Sequence, residues 1–529
     1  MKRRKFLHHG IITLAGSGFI LANCNPDRNT ISNALDLSEI TLDALQKMYH
    51  SKSLTVSQAT QWYLDRISKI DRSGPKINSV IEVNPDALKD ANALDAEFKS
   101  GKIRSALHGI PVLVKDNIDV TGKMSTSAGS LALKDNKASR DAFIIEKLKS
   151  AGAVILGKTN LSEWANFRSS RSSSGWSSRG GQTLNPYVMD RSPCGSSSGS
   201  GASVAANLCT IAIGTETDGS IACPSSMCCI VGIKPTVGLW SRSGIIPISR
   251  TQDTAGPMAR TVKDAAVLLA LLSGIDENDP VTKRNPFKGK PDFISQLDQA
   301  SLSGKRFGID KTFLKKHEKI DKLLHDTLEN MKSKGATIIE VDFNKPNDDL
   351  GNDETNVLRY EFKDGINKYL ASHPVSSKSL TDLIQYNNDH RDSTMPYFMQ
   401  ETFLASDTLS DLSTPAYLTA LKNSHDKAKQ VMDDLLKTHH LDALIGPATG
   451  APWCIDKING DRWTGYGAYG IAAVAGYPSI TVPMGFIDEL PIGMSFMSTA
   501  YDEEKLIHIA YAFEQITKAR KPPKFIKTI

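Results

Sequence analysis

Residues 192–236 read SPCGSSSGSGASVAANLCTIAIGTETDGSIACPSSMCCIVGIKPT, and the reading of this stretch decides how the rest of the chain is understood. It opens with a Ser/Gly loop and passes into a small-residue segment over 202–208 that suits a helix. A short apolar strand over 210–213 and a turn over 215–220 follow. Ser/Gly runs taken alone are flexible linkers. Here TIAIGTET and IVGIKPT come directly after, and a solvated linker does not lead into two buried-looking strands. Small residues let the backbone approach a ligand and turn successive N–H groups toward it, which is how an anion or oxyanion site is built. Two serines stand at the decisive points, Ser196 in the loop and Ser220 at the end of TETDGS.

Working outward, HGIPVLVKDNIDV at 108–120 predicts a strand over 110–114 that ends at Lys115, followed by the turn residues Asp116 and Asn117. Helical periodicity covers 57–70, 140–150, 261–273, 320–334 and 503–518, and 85–99 opens with a proline suited to a helix start. Strands are predicted over 153–159, 305–310 and 336–343. Residues 344–440 read as helical and polar, and apolar character returns at 441–449, 468–485 and 493–498. Strands alternating with helices of this length imply an α/β fold with a central twisted, mostly parallel mixed β-sheet covered by helices. Because apolar strands occur at both ends, with the helical stretch between them, one large domain over 25–529 is expected.

The first 24 residues read as a targeting segment. Arg3 and Arg4 precede Phe6 and Leu7, and a weakly apolar run over 10–22 is too short to span a bilayer. The arrangement is similar to a twin-arginine export signal, with Cys24 as a possible lipid attachment site. An exported protein, periplasmic or held at the cell envelope, is the expectation. Lys2, Arg3, Arg4 and Lys5 account for most of the formal charge of +5, so the remainder is close to neutral. No basic stripe with interleaved aromatics appears, which argues against a nucleic-acid partner. The chain has seven cysteines in no regular framework, and Cys194, Cys209, Cys223, Cys228, Cys229 and Cys454 read mostly as small buried fillers. Paired C-x-x-C motifs are lacking and the histidines are scattered, so no metal site is expected.

A serine hydroxyl is a poor nucleophile unless a base takes its proton. No histidine sits near these serines in a suggestive motif. Lys115 ends a buried-looking strand, and burial disfavours its ammonium form, which can turn the amine into a base. A G-x-S-x-G elbow can be read at 195–199 with Ser197 as nucleophile, but that motif needs a strand immediately before it, and RSPC is not one.

GIPVLVKDNI, CGSSSGSGAS, TETDGSI and VGIKPT, with the two serines 24 residues apart, resemble the amidase signature family. The resemblance runs from about residue 40 to the C-terminus through GPMARTVKDAA at 256–266 and GYPSITVPMG at 476–485. It implies a Ser-Ser-Lys amidase without cofactor, in which Lys115 is the base, Ser196 the bridging serine and Ser220 the nucleophile. The backbone amides of Thr217, Asp218, Gly219 and Ser220 would form the oxyanion hole, with Ser197 supporting the loop beside the substrate. Cys194 and Ser198 stand where glycines are frequent, and Asp218 replaces a glycine. With PYFMQETF at 396–403, these features look like the peptide amidase branch, whose enzymes remove the C-terminal amide from peptides. The expected partner is a small amide or peptide amide, and the expected state a monomer or homodimer. A general aliphatic or aryl amidase is the alternative. The amidase subunit of an aminoacyl-tRNA amidotransferase, which shares the signature, fits less well with an export signal.

Overall fold

Among the described residues, Lys115 ends the second of eleven strands in one continuous sheet. In chain order the strands are Val80–Val83 (β1), Pro111–Lys115 (β2), Val154–Thr159 (β3), Ile211–Glu216 (β4), Val231–Lys234 (β5), Thr254–Ala259 (β6), Arg306–Asp310 (β7), Thr337–Val341 (β8), Ala443–Pro447 (β9), Ser479–Ile487 (β10) and Leu490–Met497 (β11). Their order across the sheet is β1-β3-β2-β4-β6-β5-β10-β11-β9-β7-β8. Parallel pairing joins β3, β2 and β4 at one side, and β9, β7 and β8 at the other. The joints between and beyond these blocks are antiparallel. The α/β class, the single sheet and its mixed pairing agree with the sequence reading. This computed structural model describes residues 35–287 and 289–529, of which Leu37–Ile529 form one compact unit. The expected export segment, with Cys24, lies outside the described residues.

Every residue of β2, β3, β4, β6 and β9 is buried. Runs such as PVLVK and VILGKT are apolar without alternation because both faces of the sheet are covered. Val262–Leu272 packs on β6 and Glu503–Thr517 on β10. The outermost strand β8 keeps Thr337 and Glu340 exposed, as an edge requires. Among the described residues, no helix is long and apolar enough to cross a membrane.

The helix predicted over 202–208 starts four residues earlier, at Ser198–Ala205 (α1), and all eight of its residues are buried. The small side chains that read as loop allow this. A Cβ on Gly199 would lie 2.3 Å from the Ser79 carbonyl oxygen and 2.4 Å from that of Asn160, so the helix packs backbone against backbone. A second short helix, Ala222–Met227 (α2), follows the 216–220 turn. The polar stretch after residue 344 is helical as expected, led by the long helix Asn344–Ser372 (α3). The helix predicted over 57–70 is α-helical over Val56–Arg66, with a Thr55/Gln58 capping box, and continues as a π-turn over Ile67–Arg72.

Candidate active site

Strands β2 and β4 are parallel neighbours, so their C-terminal ends lie side by side. One delivers Lys115; the other runs out into the turn that ends at Ser220. Crevices at the C-terminal ends of parallel strands are where open α/β sheets place their ligand sites. Lys115 is fully buried. Its Nζ lies 2.8 Å from Ser196 Oγ, 3.0 Å from Ser197 Oγ, 2.8 Å from Thr215 Oγ1 and 3.2 Å from the Thr215 carbonyl oxygen. No carboxylate is within ion-pair distance of it among the described residues. Desolvation therefore lowers its pKa from 10.5 to about 7, with Glu216 and Asp253 opposing weakly from farther off. Asn117 Nδ2 donates to Thr215 Oγ1 (3.0 Å) and holds that hydroxyl toward the amine.

The next residue, Asp116, fixes the loop that follows β2. Its carboxylate accepts from Ser127 Oγ, from Gly129 N at 3.2 Å and from Arg179 Nη1 at 3.4 Å. Its other oxygen faces buried Lys158 at 3.8 Å, which also donates to the Ile118 carbonyl at 2.6 Å. Removing either partner of such a buried pair strands the other charge.

Ser196 enters the site through a cis peptide bond from Gly195. Its carbonyl accepts from Ser162 N (3.1 Å), and Ser197 N donates to the Ser220 carbonyl (3.2 Å), so the serine loop and the 216–220 turn are stitched together. Ser197 is fully buried, and its hydroxyl donates to the Thr215 carbonyl (3.0 Å) and accepts from Thr215 N (3.2 Å). That makes it a brace within the loop. Ser220 lies at the surface of the recess, 8% exposed. No hydrogen bond joins Ser220 Oγ to Ser196 Oγ among the described residues.

The turn itself is held from outside. Glu216 Oε2 accepts from Ile221 N (2.6 Å) and Ala222 N (2.9 Å), closing the chain around residues 217–220 and capping α2. Thr217 Oγ1 donates to Asp253 Oδ1 (2.6 Å), and the Asp253 carboxylate also accepts from Ile248 N and Ser249 N. Gln252 Nε2 bridges the Thr217 carbonyl (3.3 Å) and Glu354 Oε1 (2.9 Å), which ties α3 to the turn. Among the described residues, none of the amides of Thr217, Asp218, Gly219 and Ser220 donates to another group of the chain. Gly219 has φ +75°, and a Cβ there would lie 2.5 Å from Cε2 of Tyr469. Glycine is required on both counts.

Asp218 is open to solvent at its own surface yet crowded by protein. Burial, Glu354 and Glu216 raise its carboxyl well above the ordinary range, and Lys234 only partly offsets them. Tyr469 roofs the turn; Trp463 meets it edge-on at 6.2 Å and is itself 51% exposed, giving the recess an aromatic rim. An adjoining cleft reaches the turn at Thr215 and Thr217 and is lined by Asn117, Ile246, Asp253 and Glu361.

Of the residues singled out from sequence, Lys115, Ser196, Ser197, Thr217, Asp218, Gly219 and Ser220 all converge on this recess. Thr215, Asn117, Gln252, Glu354 and Tyr469 were missed, and Asp253 with them. Thr215 and Asn117 sit inside the motifs already quoted, and their polar side chains in apolar strand ends were the signal. One expectation is corrected. Cys194 and Cys223 are not fillers: they form a disulfide, Cα–Cα 5.9 Å, that joins the serine loop to α2. Cys209, Cys228 and Cys229 are free and buried, and Cys454 is free and exposed.

The amidase family profile matches residues 58–507. The fold is similar to that of native peptide amidase from Stenotrophomonas maltophilia, 47% identical, with a TM-score of 0.88 and coverage of 92% of this chain and 99% of that one. A probable amidase of Arabidopsis thaliana is 38% identical over 98% of both chains. A glutamyl-tRNA(Gln) amidotransferase subunit from Acinetobacter baumannii is 33% identical over 91% of this chain and 97% of its own. With these matches spanning nearly all of the described residues, the chain belongs to the amidase family, hydrolases that act on amide C–N bonds.

Proposed function

We propose that this amidase removes the C-terminal amide of peptides, by a relay through Lys115, Ser196 and Ser220. The observation that carries the chemistry is the 2.8 Å contact between a desolvated, cation-averse Lys115 and Ser196. Neutral Lys115 takes the Ser196 proton through its lone pair, and its two N–H groups are engaged by Thr215 and Ser197. Ser196 takes the proton of Ser220 as that oxygen attacks the amide carbonyl. The unengaged amides of the 217–220 turn receive the developing oxyanion, each worth about 3–4 kcal/mol at the transition state. The proton returns through Ser196 to the leaving ammonia, and water then releases the acid from Ser220.

The substrate class rests on the likeness to peptide amidase and on Asp218. Its carboxyl, pushed upward by burial, Glu354 and Glu216, can hydrogen-bond the leaving NH2, while the acidic surroundings repel a free peptide carboxylate. Tyr469 and Trp463 offer an apolar wall for the preceding side chain. Export agrees with this reading, because a structural disulfide suits an oxidising compartment and peptide amides are met outside the cell. The test compares ammonia release from one dipeptide amide, its free acid, a longer peptide holding the same bond internally, and a simple aliphatic amide. Release from the first alone is expected. Equal or better turnover of the aliphatic amide would mark a general amidase.

A further inference from the structure

A second cavity, of ≈ 550 Å³, lies beside the cleft that reaches the 215–217 turn and shares Arg242, Arg250 and Asp279 with it. That volume suits a small organic molecule. Part of the wall is apolar, from Val237, Ala475, Tyr477 and Tyr501, and Arg242, Arg250, Arg284 and Lys429 bring basic groups to it beside Asp279. The basic residues differ in how their charge is answered. Arg242 is neutralised by Asp279, which accepts from its Nη2 at 2.7 Å and its Nε at 2.9 Å. Arg250 lies 3.7 Å from Glu361. Arg284 and Lys429 have no such partner: among the described residues, neither is within hydrogen-bond or ion-pair distance of a carboxylate. Asp426 and Asp433 act on Lys429 only at longer range, and Arg284 repels it.

Lys429 is half-buried, and burial together with Arg284 pushes its pKa down. His425, which engages the Val474 carbonyl through Nδ1 at 2.7 Å, is likewise held toward its neutral form by burial and by Lys429. Lys429, half-buried, and Arg284, exposed, stand on the wall of one cavity with neither charge held in an ion pair among the described residues, so both are open to an entering anion. We propose that this cavity binds a small organic oxyanion, a phosphate or carboxylate carried on an apolar or aromatic body. Lys429 and Arg284 hold the charge, and Val237, Tyr477 and Tyr501 flank the body.

The test is calorimetric titration of the full chain at constant ionic strength with inorganic phosphate, phenyl phosphate and benzoate. One saturable site is expected for phenyl phosphate, about tenfold tighter than for inorganic phosphate, because only the former uses the apolar wall. Lys429→Gln and Arg284→Gln should each weaken binding about tenfold, as loss of a charge-assisted contact does. Neither variant should slow dipeptide-amide hydrolysis. Ser220→Ala should bind phenyl phosphate as the wild type does, which separates this site from the catalytic recess. No saturable binding, undiminished binding in both variants, or loss of binding in Ser220→Ala would each overturn the assignment. Equal affinity for inorganic and phenyl phosphate would remove the apolar body from it.

Discussion

Replacing Lys115 with methionine should abolish hydrolysis and yet stabilise the protein in acid. In the unfolded chain the lysine stays protonated up to its ordinary value of 10.5, whereas in the folded protein it does so only up to about 7. Below pH 7 both states carry the charge, and the folded state bears the whole cost of burying it. The drop from 10.5 to about 7 corresponds to about 5 kcal/mol. Between pH 7 and 10.5 the unfolded state holds the extra proton, so wild-type stability rises with pH and the cost fades. Methionine removes the cost but leaves Ser196 Oγ without its amine partner, a loss of about 1–3 kcal/mol. Ser197 and Thr215 keep each other and Asn117. Lys115→Met should therefore exceed the wild type by about 2–4 kcal/mol near pH 6, and the two should converge near pH 9. Urea unfolding at both pH values measures this, alongside ammonia release by the wild type, whose kcat/KM should fall about tenfold per unit below pH 7. A methionine variant less stable than the wild type at pH 6, or a difference that does not change with pH, would refute a desolvated neutral lysine.

Ser220→Ala should lose all turnover with the fold intact, whereas Ser197→Ala should keep reduced activity and melt earlier, its hydroxyl bracing Thr215; a serine-directed covalent probe that labels Ser197 and spares Ser220 would reverse these roles. Gly219→Ala sets a Cβ 2.5 Å from the Tyr469 ring at φ +75°, so a loss of about 1–3 kcal/mol and a sharp fall in kcat are expected, read by thermal melts and steady-state kinetics. Reducing Cys194–Cys223, which closes 29 residues of sequence, should cost about 3.5 kcal/mol on the chain-entropy account. The paired Cys194→Ser, Cys223→Ser variant should show the same loss, and unchanged unfolding midpoints with and without reductant would contradict it.

The recess was legible because its parts lie in local sequence. Lys115 closes an apolar run, and a long cationic side chain at the end of five buried positions has only desolvated space or a partner to go to. The loops carrying Ser196 and Ser220 announced themselves through small residues flanked by strands. What distant chain supplies was not legible. Tyr469 comes from far along the sequence, and Glu354 from a polar helix whose periodicity looks like solvated surface. The Cys194–Cys223 bridge could not be read because cysteine spacing does not state which loops fold together. Hydrophobic runs mark strands but not their neighbours, so the antiparallel centre of the sheet emerged only from the three-dimensional order. The start of α1 was misplaced because Gly and Ser are weak helix formers, and here tertiary packing overrides that preference.

The strand order also bears on when the enzyme comes into being during synthesis. Lys115, Ser196 and Ser220 all leave the ribosome within the first half of the chain. Strand β5, though, is flanked on its far side by β10, so the sheet stays open at its middle until residues 479–487 have been made. Tyr469, which roofs the turn at Gly219, also arrives late. Pairings across such sequence separations are the slowest to form, since loop-closure entropy is spent before the contacts reward it. A nascent chain thus carries the residues of the proposed relay before Tyr469 can cover the turn, and the complete recess arrives only with the C-terminal part of the chain.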